Sequence, residues 1–172
     1  MKMTSKPNRY CWSWLLGLLL LTGCALPQHF WPQKDIVGSD VGTIPGQPEV
    51  LIASRSSEYK KQLVAELQKR LSTAKISHKT IGIKQLDKVD PTGYAAVVII
   101  NTCLAWGLDN EVSTFLDSRK RAENIILLTT SGEGSWLPDK HGLEFDAISG
   151  ASLKTNISAV ARDLMERIQR KL

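Results

Sequence analysis

Cysteine and histidine are scarce in this chain, with three of each among 172 residues. His29, His78 and His141 fall in unrelated segments, so no pair has the spacing that a zinc-type centre needs. The chain also lacks a G-x-S-x-G elbow, a Walker phosphate loop and a G-x-G-x-x-G turn. These absences withdraw the sequence grounds for a serine hydrolase, a P-loop NTPase or a dinucleotide enzyme. No internal repeat or low-complexity run is present. Positive charge is less abundant than the formal net of +5 suggests. Lys2, Lys6 and Arg9 crowd the N-terminus with no acid beside them; without these three, 19 of the 22 basic residues remain against 17 acidic ones. That balance, near +2, excludes nucleic acid as an expected partner, which needs a clustered basic face.

What is present begins with an export pattern. The three early cations precede Trp12 to Leu21, an apolar run of about ten residues that is too short to span a bilayer. The next residues, Leu21-Thr22-Gly23-Cys24, resemble the lipobox of bacterial lipoprotein precursors. The resemblance implies a signal peptide over 1–23, cleavage before Cys24, a diacylglyceryl thioether on Cys24 and an acyl chain such as palmitate on the new amino terminus. Two or more buried acyl chains suffice for stable anchoring. An ordinary signal peptide or an uncleaved anchor is the other reading of these residues. The implied address is the cell envelope. Ala25, rather than Asp, after the cysteine resembles proteins sorted to the outer membrane of a diderm, facing the periplasm. The expected partners are therefore the membrane, through lipid, and another envelope protein. Cys11 leaves with the signal and Cys24 carries lipid, so Cys103 stands alone and no intrachain disulfide is expected. The place of Cys103 at the end of the central strand suggests a nucleophile, but a lone cysteine after an apolar run is more often a small buried hydrophobe.

Residues 24–48 read as the lipidated N-terminus and a flexible tether. Pro27, Pro32, Pro45 and Pro48, with Gly38, Gly42 and Gly46, break any helical or strand period. His29, Phe30 and Trp31 either rest at the lipid headgroups or pack on the domain.

The folded domain is expected over 49–172. Its organising stretch is Ala95 to Ile100, an unbroken apolar run rich in β-branched residues, as in a strand covered on both faces. Val50 to Ala53 and Asn124 to Thr129 are further apolar strands. Ile76 to Ile83 and Leu143 to Ile148 are mixed and read as edges. Helical spacing marks Tyr59 to Leu71, Val112 to Leu116 after an N-cap at Asp109 or Asn110, and Ile157 to Leu172. Strands alternating with helices predict an α/β, three-layer sandwich around a parallel five-stranded sheet. Inner apolar and outer mixed strands give the order 2-1-3-4-5, whose loops gather ligands at the carboxyl ends of the strands.

That order, over Val50 to Leu172, resembles the flavodoxin superfamily, and the resemblance implies FMN as the candidate cofactor. The family's first loop is a Thr-x-Thr-Gly-x-Thr type cradle, where hydroxyls and backbone N–H groups at a helix N-terminus hold the FMN phosphate. Here Ser54 and Ser56 match hydroxyl positions, Ser57 replaces the glycine, and Tyr59 replaces the last small hydroxyl. Glu58 brings negative charge, which Arg55 would offset as a phosphate partner; alternatively the loop is a solvated turn and helix cap. The family holds the flavin ring between the loops after strands three and four. Trp106 and Trp136 stand at comparable places, with Asn101, Thr102, Thr130, Ser131 and Gly132 beside them, and either tryptophan would equally serve to cover the core. The string Asp146 to Thr155 is similar to a covalent FMN acceptor motif of exported proteins, but its acceptor position falls on Lys154, which has no hydroxyl. Ser149 to Thr155 therefore reads mainly as a turn and N-cap. Two functional classes follow, and no catalytic residue is assigned in either. One is a non-enzymatic binding or assembly module in the envelope, which the altered phosphate loop and the exported address favour. The other is a membrane-tethered FMN-binding redox protein, an electron carrier or reductase, which the paired tryptophans favour.

Overall fold

The computed structural model describes residues 33–41, 49–104, 106–119, 121–140 and 142–172. The expected signal peptide, Cys24 and most of the expected tether lie outside the described residues.

Among the described residues, six strands and three helices form the domain: β1 (Ser39–Val41), β2 (Val50–Ser54), α1 (Glu58–Thr73), β3 (His78–Gly82), β4 (Ala96–Thr102), α2 (Asn110–Asp117), β5 (Arg121–Ser131), β6 (Glu144–Ala151) and α3 (Ile157–Gln169). The sheet order is β1-β3-β2-β4-β5-β6. From β3 to β6 every neighbouring pair is parallel. These five strands reproduce the expected order 2-1-3-4-5. The sixth departs from it: β1 pairs antiparallel with β3, Ser39 opposite Thr80 and Val41 opposite His78. The strand expected as an edge is thus covered, and part of the stretch read as tether lies along the sheet. All three β1 residues are exposed, so their place comes from backbone pairing, and apolar patterning carries no trace of it.

The central position of β4 follows from its composition. Ala96 to Ile100 are fully buried, and alternate side chains feed two separate cores. Ala96, Val98 and Ile100 meet Leu63, Leu67 and Leu71 of α1 and Leu164 and Ile168 of α3. Val97 and Ile99 meet Val112, Phe115 and Leu116 of α2, with Ile83 and Leu86 from the 3-10 turn after β3. Each such valine, leucine or isoleucine gains roughly 1.5–3 kcal/mol from burial. Caps begin the first two helices: Ser57 accepts from the Lys60 backbone N–H at 3.2 Å, and Asp109 accepts from that of Glu111 at 3.1 Å.

One further boundary moves. β6 runs through Ser149 and Gly150 to Ala151, so the first half of the string expected as a turn completes a strand. A 3-10 turn over Lys154–Asn156 then leads into α3, with no side-chain cap. Among the described residues no helix is long and apolar enough to cross a membrane.

Candidate functional site at the carboxyl rim of the sheet

Parallel strands deliver their following loops to one rim, and here that rim has two halves. The first, between β2 and β4, is where the sequence places a phosphate cradle. Ser54 is buried and its hydroxyl donates to the Arg55 carbonyl at 2.8 Å. Arg55 turns inward, its side chain 6% exposed. Its Nε and Nη2 grip the Asp109 carboxylate at 2.8 and 3.0 Å, Nη1 reaches Asp35 at 2.7 Å and Nη2 pairs with Glu111 at 3.0 Å. Burial alone would lower the Arg55 pKa. The bonds to Asp109, Asp35 and Glu111 outweigh it and hold the guanidinium charged. Asp109 likewise sits below the usual carboxylate range, because bonds from Arg55 and Glu111 overcome the effect of burial.

Across this half runs a strap, Gln33–Ile36, that sequence reasoning assigns to the tether. The Ser56 backbone N–H donates to the Lys34 carbonyl at 2.6 Å, and the Ile36 N–H donates to the Ser54 carbonyl at 3.3 Å. Asp35 bridges Arg55 and also accepts from the Lys84 backbone N–H at 3.2 Å. Its carboxylate lies so close to Gly82 that a Cβ there would meet it at 2.6 Å. The strap therefore takes up loop groups that the resemblance assigns to an anion. On the opposite face of the sheet, Lys60 is buried and its Nζ donates to the Thr102 hydroxyl, which in turn donates to Gln33 at 3.3 Å. Burial, with repulsion from Arg55, lowers the Lys60 pKa to about 8 despite attraction from Asp109.

The second half lies between the loops after β4 and β5 and is open. Trp106 and Trp136 both line a cleft of about 450 Å³ shared with Leu108, Leu116, Leu137 and Phe145. They also line a second cavity of about 260 Å³ with Cys103, Ser131, Gly132 and Glu133. Trp106 is 80% exposed and sits at φ 60 in a turn closed by reciprocal backbone bonds between Leu104 and Gly107. Left-handed backbone is a real cost for a bulky residue. Gly134 adopts φ +73, and a Cβ there would run into the Ala151 backbone; glycine thus lets the second loop close onto the end of β6. Its N–H is held by the Ser131 hydroxyl at 2.8 Å. One pleat below Cys103 and Ser131, Asn101, Thr129 and Ser149 stand opposite one another on three adjacent strands. Each carries a buried side-chain polar atom without a hydrogen-bond partner.

Of the expected site residues, the structure brings Trp106, Ser131, Gly132 and Trp136 to one cavity. Asn101 and Thr130 lie beneath as buried supports: Asn101 Oδ1 accepts from the Asp109 N–H at 3.0 Å, and the Thr130 hydroxyl donates to the Asn101 carbonyl at 2.9 Å. Ser54, Arg55, Ser56, Ser57 and Thr102 belong to the strapped half, Ser57 as a helix cap. Burial pushes the Cys103 thiol pKa up, with backbone N–H bonds from Trp106 and Gly107 only partly offsetting it. The thiolate that nucleophilic chemistry needs is therefore disfavoured. Among the described residues no group of three or more His, Cys, Asp or Glu is arranged to hold a metal ion. Sequence reasoning missed Gln33, Lys34, Asp35 and Lys60. The first three sit in a Pro/Gly-rich stretch without periodicity. Lys60 did leave a signal, as a cation in the buried stripe with Leu63, Val64, Leu67 and Leu71.

No family model matches the sequence, and no curated protein matches it. Among solved structures, a metal-soaked flavodiiron core from Synechocystis is similar at a TM-score of 0.52 and 11% identity, over 76% of this chain and 37% of that one. A cysteine-to-serine mutant of flavodoxin from Pseudomonas aeruginosa gives 0.48 and 13%, over 72% and 98% of the two chains. General stress protein 14 in complex with FMN, from Treponema denticola, gives 0.47 and 8%, over 73% and 99%. The chain spans just over a third of the flavodiiron core. The fold is flavodoxin-like, and at these identities the likeness extends to nothing beyond the fold.

Proposed function

We propose that this chain is an envelope lipoprotein, held to its membrane by acyl chains on Cys24, whose flavodoxin-like domain works as a non-enzymatic binding or assembly module through its carboxyl rim. The observation that carries the reading is the division of that rim. The half expected to bind an anion is filled by Gln33–Ile36, while the half walled by Trp106 and Trp136 is open. The elevated Cys103 pKa and the engagement of Arg55 with three acids favour recognition over bond-making chemistry.

An FMN-binding redox protein is the second reading, favoured by two tryptophans on one cavity. The phosphate end of FMN does not fit the loop as folded. The Ser56 N–H is already bonded to Lys34, Arg55 is spent on carboxylates, and Asp35, Asp109 and Glu111 set negative charge around the place where the phosphate would lie.

Two measurements test the reading. The full chain extracted from membranes should show no flavin bands in its visible spectrum; stoichiometric bands would favour the redox reading instead. Cys24→Ser should move the protein from the membrane fraction to the soluble fraction, and retention in the membrane would refute the acyl anchor.

A further inference from the structure

We propose that the carboxyl rim rests on the bilayer that holds the lipid anchor, with Trp106 and Leu137 at the level of the headgroups. This rests on the anchoring proposed above and adds the orientation of the domain and the partner of its exposed rim. Two observations converge on it.

The first is where the tether arrives. Gln33 lies nine residues after Cys24 in the sequence, so the two are at most roughly 30 Å apart even when fully extended. Gln33 meets Thr102 at the carboxyl end of β4, and the chain then runs away from the rim as β1, antiparallel to β3. The tether thus enters at the loop end of the sheet.

The second is what that end exposes. Trp106 is 80% and Leu137 52% exposed, and both flank the same cleft. A tryptophan and a leucine on a rim are residues that settle at a lipid interface.

The test uses the full, processed chain reconstituted in vesicles of phosphatidylethanolamine and phosphatidylglycerol, with and without brominated phosphatidylcholine. With Trp31→Phe and Trp136→Phe, Trp106 is the reporter, since Trp12 and Trp14 leave with the signal. Its emission should lose most of its intensity in brominated vesicles. A control chain with Trp31, Trp106 and Trp136 all changed to phenylalanine carries Leu172→Trp, at the far end of α3, and should keep its emission. Unchanged Trp106 emission, or equal quenching at position 172, would overturn the proposal, whether a protein partner or solvent covers the rim. If Trp136→Phe impairs folding, hydrogen exchange of 104–107 and 132–137 in the wild-type chain replaces it. Those amides should exchange more slowly on vesicles than in the Cys24→Ser form, and equal rates would overturn the proposal. A chain that fails to float with vesicles at all refutes the anchor, an outcome separate from a chain that floats with Trp106 unquenched.

Discussion

Replacing Arg55 by methionine is expected to destabilise the domain by about 3–5 kcal/mol, the cost of leaving one member of a buried ion pair without its partner. The guanidinium is 6% exposed and Asp109 8%, so solvent cannot take over either role. Without Arg55, burial raises the pKa of the Asp109 carboxyl that its bonds now keep low. The damage should spread in two directions. Asp109 caps α2, and Asp35 ties the strap to the rim. Adding Asp109→Asn should recover part of the loss, because a neutral amide is cheaper to bury than an unpaired carboxylate. The pH dependence carries the same sign. A carboxylate held below its ordinary pKa contributes stability that is present above roughly pH 4 and lost as the pH falls; the Arg55→Met chain should lack that contribution. Urea unfolding at neutral and acidic pH measures both. Arg70→Met offers the contrast: Arg70 pairs with Glu66 one helical turn away, both about 30% exposed, and its loss should cost under about 1 kcal/mol.

Lys60→Met should act in the opposite direction and stabilise the domain by about 2–3 kcal/mol at neutral pH. The folded protein lowers the pKa of this buried amine from 10.5 to about 8. Each pKa unit corresponds to about 1.4 kcal/mol. Below pH 8 the amine is charged whether the chain is folded or not, so the folded state bears the full burial penalty. As the pH rises from 8 towards 10.5 the folded state sheds the proton first and the penalty disappears. The advantage of Lys60→Met over the wild type should therefore shrink across that window. The lost bond to Thr102 trims the gain, and Thr102 keeps Gln33 as a partner. Unfolding free energies of both chains at pH 7 and pH 10 decide the matter. A Lys60→Met chain less stable than wild type at pH 7 would show that the amine bond outweighs its desolvation.

The apolar run of β4 and the flanking runs of β2 and β5 were legible because burial on both faces leaves continuous hydrophobes, and their order followed from that. Trp106 and Trp136 were legible as rim residues because they trail inner strands. The strap was not. Backbone pairing holds β1, and Asp35 reaches Arg55 across 20 residues of sequence, an interaction between unlike charges that no local period records. Arg55 reads as a phosphate partner because its place in the loop is visible in sequence, whereas the carboxylates that claim it arrive from two other segments. The inward turn of Lys60 was written in the helical stripe of α1, where a cation stands at a core position and asks for a buried acceptor. The end of β6 was misjudged because Ser149-Gly150-Ala151 has turn-like composition, yet pairing with Thr129, Thr130 and Ser131 keeps it extended.

The reading of the rim depends on the Ser56 amide being satisfied from within the chain. Hydrogen exchange at that one amide, followed by NMR in the full chain with and without added FMN, tests it most directly. The expected result is slow exchange without ligand and no change when FMN is added, since the Lys34 carbonyl already holds the proton. Fast exchange that slows on addition of FMN would contradict it, because the loop would then be an open cradle waiting for a phosphate.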